Sequence, residues 1–446
     1  MIAAVLRRIT APETARHLAA LAAGAPASAP VSLCLELPAQ YTDWLSLLPA
    51  GQPWWYRARP AHGEYRLAIG HALQVASVGD NRFAALEGAF AGLCQDWRQH
   101  GTALAFAGFA FAADNATPLP NALLAIPAVL LECRAGRCTV TLSTPAGRLS
   151  QALAEWPALL AARPATKNVR ILPSRPEPLA EQAWMARVVA ALRDIGQGKL
   201  AKVVLTRCRA LEGNAPFAAG DILARLNAQQ PGSVVYGHGN GVQAFLGATP
   251  ERLVARCGRQ VRVDALAGTA WPGSPALADD KNRHEQSLVV RAVVEALGPL
   301  CDGAPQVGAV EECSAGQLRH WRSHIVGTAR PGTSLFDVVR ALHPTPAVGG
   351  FPSAAARAWL AAHGEQRHAW YSGGFGILTP DGDGEFSVAL RSALLDGNKA
   401  LLQAGAGIVA GSDPAQELAE IEAKFGTLHA ALSDDTSRAE RGCRRA

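Results

Sequence analysis

The sequence predicts an α+β fold, and three observations carry that prediction. Hydrophobic residues make up 49% of the 446 positions, enough apolar surface to offset the entropy of ordering a large chain. Strand-like segments rich in β-branched residues follow one another from Lys202 to Ala265. The long helical patterns do not alternate with them strand by strand, which disfavours a doubly wound sheet.

Taken in order, the part up to about residue 160 mixes Ala-rich helical stretches with strand-like pieces at Val31–Leu37 and Thr139–Leu142. Arg163 to Glu177 carries three prolines and several charges, and by itself it reads as a connection between two parts. Trp184, Val188, Ala191, Leu192 and Ile195 recur at helical spacing, and Gly196 supplies the stop. Lys202–Arg207 then reads as a strand, followed by strands at 234–236, 244–247, 253–256, 261–265, 386–394 and 400–404. Helices are predicted over Asp280–Leu297, capped by Asp280, and over Pro414–Leu432, where Asp413 and Gln416 stand at capping-box spacing.

Charge and composition exclude several classes. With 42 Lys+Arg against 37 Asp+Glu, the net charge of +5 is no footprint for nucleic acid, and no run of five like charges occurs. The basic stretch Arg438–Arg445 reads as a frayed tail. The opening MIAAVLRRIT is too short and too charged for a signal peptide. The run Ala103–Ala113 falls well short of the roughly 20 residues that span a bilayer. Nine scattered cysteines, with no second pair at zinc spacing, suggest reduced thiols in a cytoplasmic protein.

Several residues could carry chemistry. Lys202 opens an apolar strand, either as a solvated strand end or as a desolvated lysine, whose burial would favour the free amine needed of a general base. Glu251 follows a strand and a turn, either paired on the surface or buried in a cleft, where it would stay protonated as a general acid. Glu285 shares the face of Val289 and Val293 on its helix and needs a partner there. Glu420 either pairs with Lys424 four residues on or faces Glu285, and two such carboxylates would suit Mg²⁺ with water or substrate oxygens completing its octahedron. Ala404–Gly411, AGAGIVAG, follows a predicted strand and could offer backbone N–H groups to an anion. Ser372–Gly376 reads as a turn. Arg391, flanked by apolar residues on a predicted strand, is either paired internally or kept for a ligand carboxylate.

The segments KVVLTR, FLGATPERL, DALAGTAWPG, KNRHEQSLVV, LHPTPAVGGFP, YSGGFG, GDGEFSVALRS and AGAGIVAGSDPAQELAEIEAK together resemble the chorismate-utilising enzymes, in order and spacing. The resemblance covers about residues 180–432, and AFAGFAFAAD at 105–114 extends it weakly toward the N-terminus. It implies one unit with a large two-sheet β core and helices packed outside, the anthranilate synthase component I fold. Residues 1–162 would complete that fold, 178–432 would form the chorismate-binding catalytic region, and 433–446 would be a disordered tail.

Chorismate as substrate and Mg²⁺ as cofactor follow from the same resemblance. The LHPTPA form, Lys202, and the absence of an SGAPK-like stretch are most similar to isochorismate synthases, so neither a glutaminase subunit nor ammonia is expected. In that reaction water adds at C2 of the ring while the C4 hydroxyl leaves. Lys202 would take the proton of water and Glu251 would protonate the leaving group. Glu285 and Glu420 would hold the metal. Tyr371 and Arg391 would bind the enolpyruvyl carboxylate, Gly405, Gly407 and Lys424 the anionic oxygens, and Thr269 and His320 would line the ring pocket.

Gln286 stands where most members have histidine, and Trp321 where leucine usually follows the His320 position. Salicylate synthase, which goes on to eliminate pyruvate, and a non-catalytic chorismate-binding paralogue are the alternatives. The sequence does not separate a menaquinone from a siderophore role, and it is compatible with a monomer.

Overall fold

The computed structural model describes residues 2–37, 44–114, 118–160, 169–173, 178–274 and 277–433. Most of the proline-rich connection and all of the basic tail lie outside the described residues.

The strands share one hydrogen-bonded network that divides into two ladders. One runs from Gln306–Ala315 through Leu318–Thr328, Gln260–Ala270, Arg252–Cys257, Gly384–Val388 and Gly374–Leu378 to Ala105–Phe109. The other runs from Gly350–Phe351 through Lys202–Glu212, Lys399–Val409, Ser392–Asp396, Gln243–Thr249 and Val234–Asn240 to Pro53–Arg59. The long strands Glu64–Ser77 and Ala122–Arg134 belong to both. Their pairing slips between His71 and Leu73, opposite Pro127, and such a bulge lets paired strands bend from one layer into the next.

An aromatic cluster of Trp55, Phe106, Tyr236, Trp370 and Phe375 fills the space where the two ladders face each other. Helices Pro178–Gly196, Ala219–Gln229 and Pro414–Leu432 pack on the second ladder, and Asp280–Leu297 on the first. The residues before 160 join the same network, since Trp54 pairs with Gly239 and Phe109 with Gly374. Ion pairs cross between the layers as well: Glu385 of the first ladder meets Arg57 at 2.8 Å, and also Arg59, both of the second.

The predicted helices over 280–297 and 414–432 match in extent. The cap of the first is Asp279 rather than Asp280, because Asp279 is the extended residue whose carboxylate accepts from Asn282 N–H. The predicted strand 386–394 is two strands, Gly384–Val388 and Ser392–Asp396. Arg391 lies between them at φ +48°, a left-handed backbone that no strand tolerates. The stretch AGAGIVAG does not follow a strand. Its first six residues are the second half of Lys399–Val409, paired with Lys202–Arg207.

Candidate functional site

Lys202 stands at the first position of its strand, between Phe351 on one side and Val409 on the other. Flanked by both strands, its side chain is 0% exposed, so it is not a solvated strand end. Burying an ammonium unpaired is costly, and here a carboxylate offsets that cost. Nζ lies 2.8 Å from Glu285 Oε1, although its protons are not well aimed at it. Gly407, on the adjoining strand, makes room for this pair: a Cβ there would sit 2.3 Å from Glu285 Oε1 and 2.9 Å from Lys202 Cε.

Two helices bring the remaining carboxylates together. Lys281 and Glu285 stand four residues apart on one helix, and Glu417, Glu420 and Lys424 stand at three- and four-residue spacing on another, so each set shares a face. Lys424 Nζ donates to Glu420 Oε1 at 2.6 Å and to the Gly405 carbonyl at 2.7 Å. Lys281 Nζ lies 2.5 Å from Glu417 Oε1. Burial pushes the Glu420 carboxyl up, but Lys424 and Lys281 outweigh it and hold it below the usual carboxylate range. Burial and the charge of Glu420 push Glu417 up to about 7, against the pull of Lys281.

Glu251 is buried directly after Pro250, its carbonyl accepting from Val388 N–H. Burial pushes its carboxyl up to about 8, opposed by the charge of Lys202 and reinforced by Asp264. It is therefore protonated at neutral pH.

His320 Nδ1 lies 2.9 Å from the Gly268 carbonyl, which places the ring proton on Nδ1. Nε2 then accepts from Arg391 Nη2 at 3.1 Å. Burial, with the charge of Arg391, lowers His320 to about 3, so the ring stays neutral. Thr269 Oγ1 is 3.3 Å from the same Nδ1. Tyr371, pushed up to about 12 by burial, places its hydroxyl 3.2 Å from where a Cβ of Gly405 would be.

Lys202 meets Glu285 beside Gly407, and Lys424 meets Glu420 and the Gly405 carbonyl. Thr269 links His320, which holds Arg391, to Glu420. Glu251 lies within electrostatic reach of Lys202, Arg391 and Lys424. The two glycines sit inside a strand, where their missing side chains leave space beside Glu285 and Tyr371. Sequence reasoning missed Glu417 and Lys281. Their spacing of three and four residues from Glu420 and Glu285 was the available signal.

The two departures are structural. Gln286 donates to the Ala265 carbonyl at 3.0 Å, and the Trp321 indole donates to the Leu277 carbonyl at 2.9 Å. Cavities of about 460 and 900 Å³ lie elsewhere, and none of the predicted catalytic, substrate-binding or metal-binding residues lines them. Among the described residues no helix is long and apolar enough to cross a membrane, and the cysteines there are free thiols.

A family model described as chorismate binding enzyme matches residues 19–433. The salicylate biosynthesis isochorismate synthase of Pseudomonas aeruginosa is 35% identical over 262 residues, 56% of this chain and 54% of that protein, so the chain matches about half that relative's length. The isochorismate synthase MenF of Pasteurella multocida is 31% identical over 327 residues, 68% of this chain and 74% of that protein. The structure of MenF, the menaquinone-specific isochorismate synthase from Escherichia coli, superposes with a TM-score of 0.78 at 25% identity, covering 94% of this chain and 98% of that one.

Proposed function

This chain belongs to the chorismate-binding enzyme family, and from that premise we propose that it is an isochorismate synthase. The observation that carries the reading is a proton acceptor and a proton donor of opposite character in one buried site. Lys202 is wholly enclosed beside a carboxylate, and Glu251 is held protonated near neutral pH by burial.

The reaction exchanges a hydroxyl at C4 of chorismate for one at C2. The oxygen of water bonds to C2, the ring double bonds shift, and the C4–O bond breaks. Lys202 Nζ takes the proton that water loses. Glu285, 2.8 Å from Nζ, stabilises the protonated lysine. Hydroxide is a poor leaving group, and Glu251 supplies the proton that lets it depart as water. One proton is taken and one given, so the reaction is an isomerisation.

Arg391 presents a guanidinium suited to a carboxylate, and neutral His320 accepts one of its N–H groups and so fixes the plane of the fork. Its left-handed backbone is the kind of local strain found where a side chain must be aimed at a ligand.

The donor set fits Mg²⁺. Among the described residues no three His, Cys, Asp or Glu side chains are grouped to hold a metal unaided. Two carboxylates with water and substrate oxygens are a common Mg²⁺ environment. Glu285 and Glu420 would hold the ion, which would supply positive charge against the ring carboxylate.

The test is turnover by Lys202→Ala and Glu251→Gln. Each is expected to lose about 10²–10⁴-fold in kcat while still binding chorismate. Near wild-type turnover by either variant would remove that residue from the assignment.

A further inference from the structure

Three buried carboxylates meet three lysines in this site, and the three pairs are not equivalent. Lys202 is enclosed, its side chain 0% exposed, with Glu285 at 2.8 Å. Lys424 holds two acceptors, Glu420 and the Gly405 carbonyl, and is 13% exposed. Lys281 has Glu417 at 2.5 Å, no main-chain acceptor among the described residues, and a side chain 22% exposed.

Glu417, 1% exposed, has Lys281 and Ser412 as its polar neighbours, neither well directed at its oxygens. The charge of Lys281 is felt by Glu417, Glu420 and Glu285 together, and those carboxylates keep its ammonium protonated despite burial. A second cation placed among the same carboxylates would repel it. Of the three lysines Lys281 gives way most readily, because it lies in the first turn of its helix, its side chain is the most exposed of the three, and it has a single close partner.

We propose that Lys281 is the built-in counter-ion of this carboxylate cluster, and that a divalent cation enters by driving its ammonium off Glu417 toward solvent. The proposal rests on the reading of Glu285 and Glu420 as the metal ligands. Its consequence is that the enzyme binds bare metal weakly, since every metal ion bound must displace a cation already in place. The same lysine keeps Glu417 from standing buried and unpaired when no metal is bound.

The experiment uses Mn²⁺ alone as probe, free Mn²⁺ being followed by electron paramagnetic resonance with the whole 446-residue chain and no chorismate. Lys281→Met keeps the aliphatic stem and removes the charge, and it is expected to bind Mn²⁺ about tenfold or more tighter than wild type. Lys281→Arg, which keeps the charge, should stay near wild type. A second arm uses the wild-type protein: acylation of Lys281 by acetic anhydride, read by peptide mass spectrometry, is expected to rise several-fold when Mg²⁺ is added. That arm decides the matter if Lys281→Met does not fold.

A folded Lys281→Met that binds Mn²⁺ no tighter than wild type overturns the proposal, as does acylation that saturating Mg²⁺ leaves unchanged. Glu285→Gln and Glu420→Gln separate the two layers of argument. Loss of Mn²⁺ binding in both, with no effect of Lys281→Met, leaves the ligand assignment standing and removes Lys281 alone. Wild-type binding in both removes the ligand assignment, and with it this proposal.

Discussion

Glu251 and His320 lie in one site, and burial drives both toward the neutral form, the acid up and the base down. A general acid must be protonated to act, so kcat/KM should fall as pH rises through about 8 and should lose that limb in Glu251→Gln. The same shift has a sign for stability. The folded state holds its proton more tightly than the unfolded chain, so this contribution is fully present below about pH 4.5 and is lost as pH rises through about 8. His320, neutral across the working range, should contribute no limb near its ordinary value. A limb near 6.5 that disappears in His320→Gln would contradict the arrangement with Gly268 and Arg391. At this scale the sequence could propose Lys202, Glu251, Glu285 and Glu420 but could not say whether they were buried. Burial depends on strands brought in from more than a hundred residues away, such as Val409 beside Lys202.

Among the elements, the strand Lys399–Val409 does the most to shape the site. Gly407 faces a carboxylate and a lysine stem that leave no space for a methyl group. Gly407→Ala should destabilise the fold by about 1–3 kcal/mol and lower turnover by far more than that loss of stability accounts for, because the Lys202–Glu285 pair must move apart. A thermal melt beside steady-state kinetics checks this, and unchanged kcat would show that the pair's position does not matter. The extents of the helices at 280–297 and 414–432 were legible because period and caps agree there. The break at Arg391 was not: Ser387 to Leu394 alternates poorly, and no glycine marks the left-handed residue, so nothing local separates the two strands.

For the molecule as a whole, the two ladders are tied by the long bent strands, by the aromatic cluster and by Glu385 between Arg57 and Arg59. Glu385→Gln leaves Arg57, 2% exposed, without its counter-charge. It should cost about 3–5 kcal/mol and lower the melting temperature while leaving kcat near wild type below the melt. A variant as stable as wild type would show that this pair is not what clamps the layers. The α+β class was legible from consecutive strands without regular alternation. The division into ladders was not, since it depends on a bulge at His71–Leu73 that one residue of local sequence does not announce.

The most direct measurement is incubation of the purified chain with chorismate and Mg²⁺, with products separated and pyruvate assayed. Isochorismate without pyruvate is expected, with loss of that product in Lys202→Ala and Glu251→Gln. Salicylate with pyruvate would keep the site and change the reaction, and no conversion at all would contradict the assignment of an isochorismate synthase.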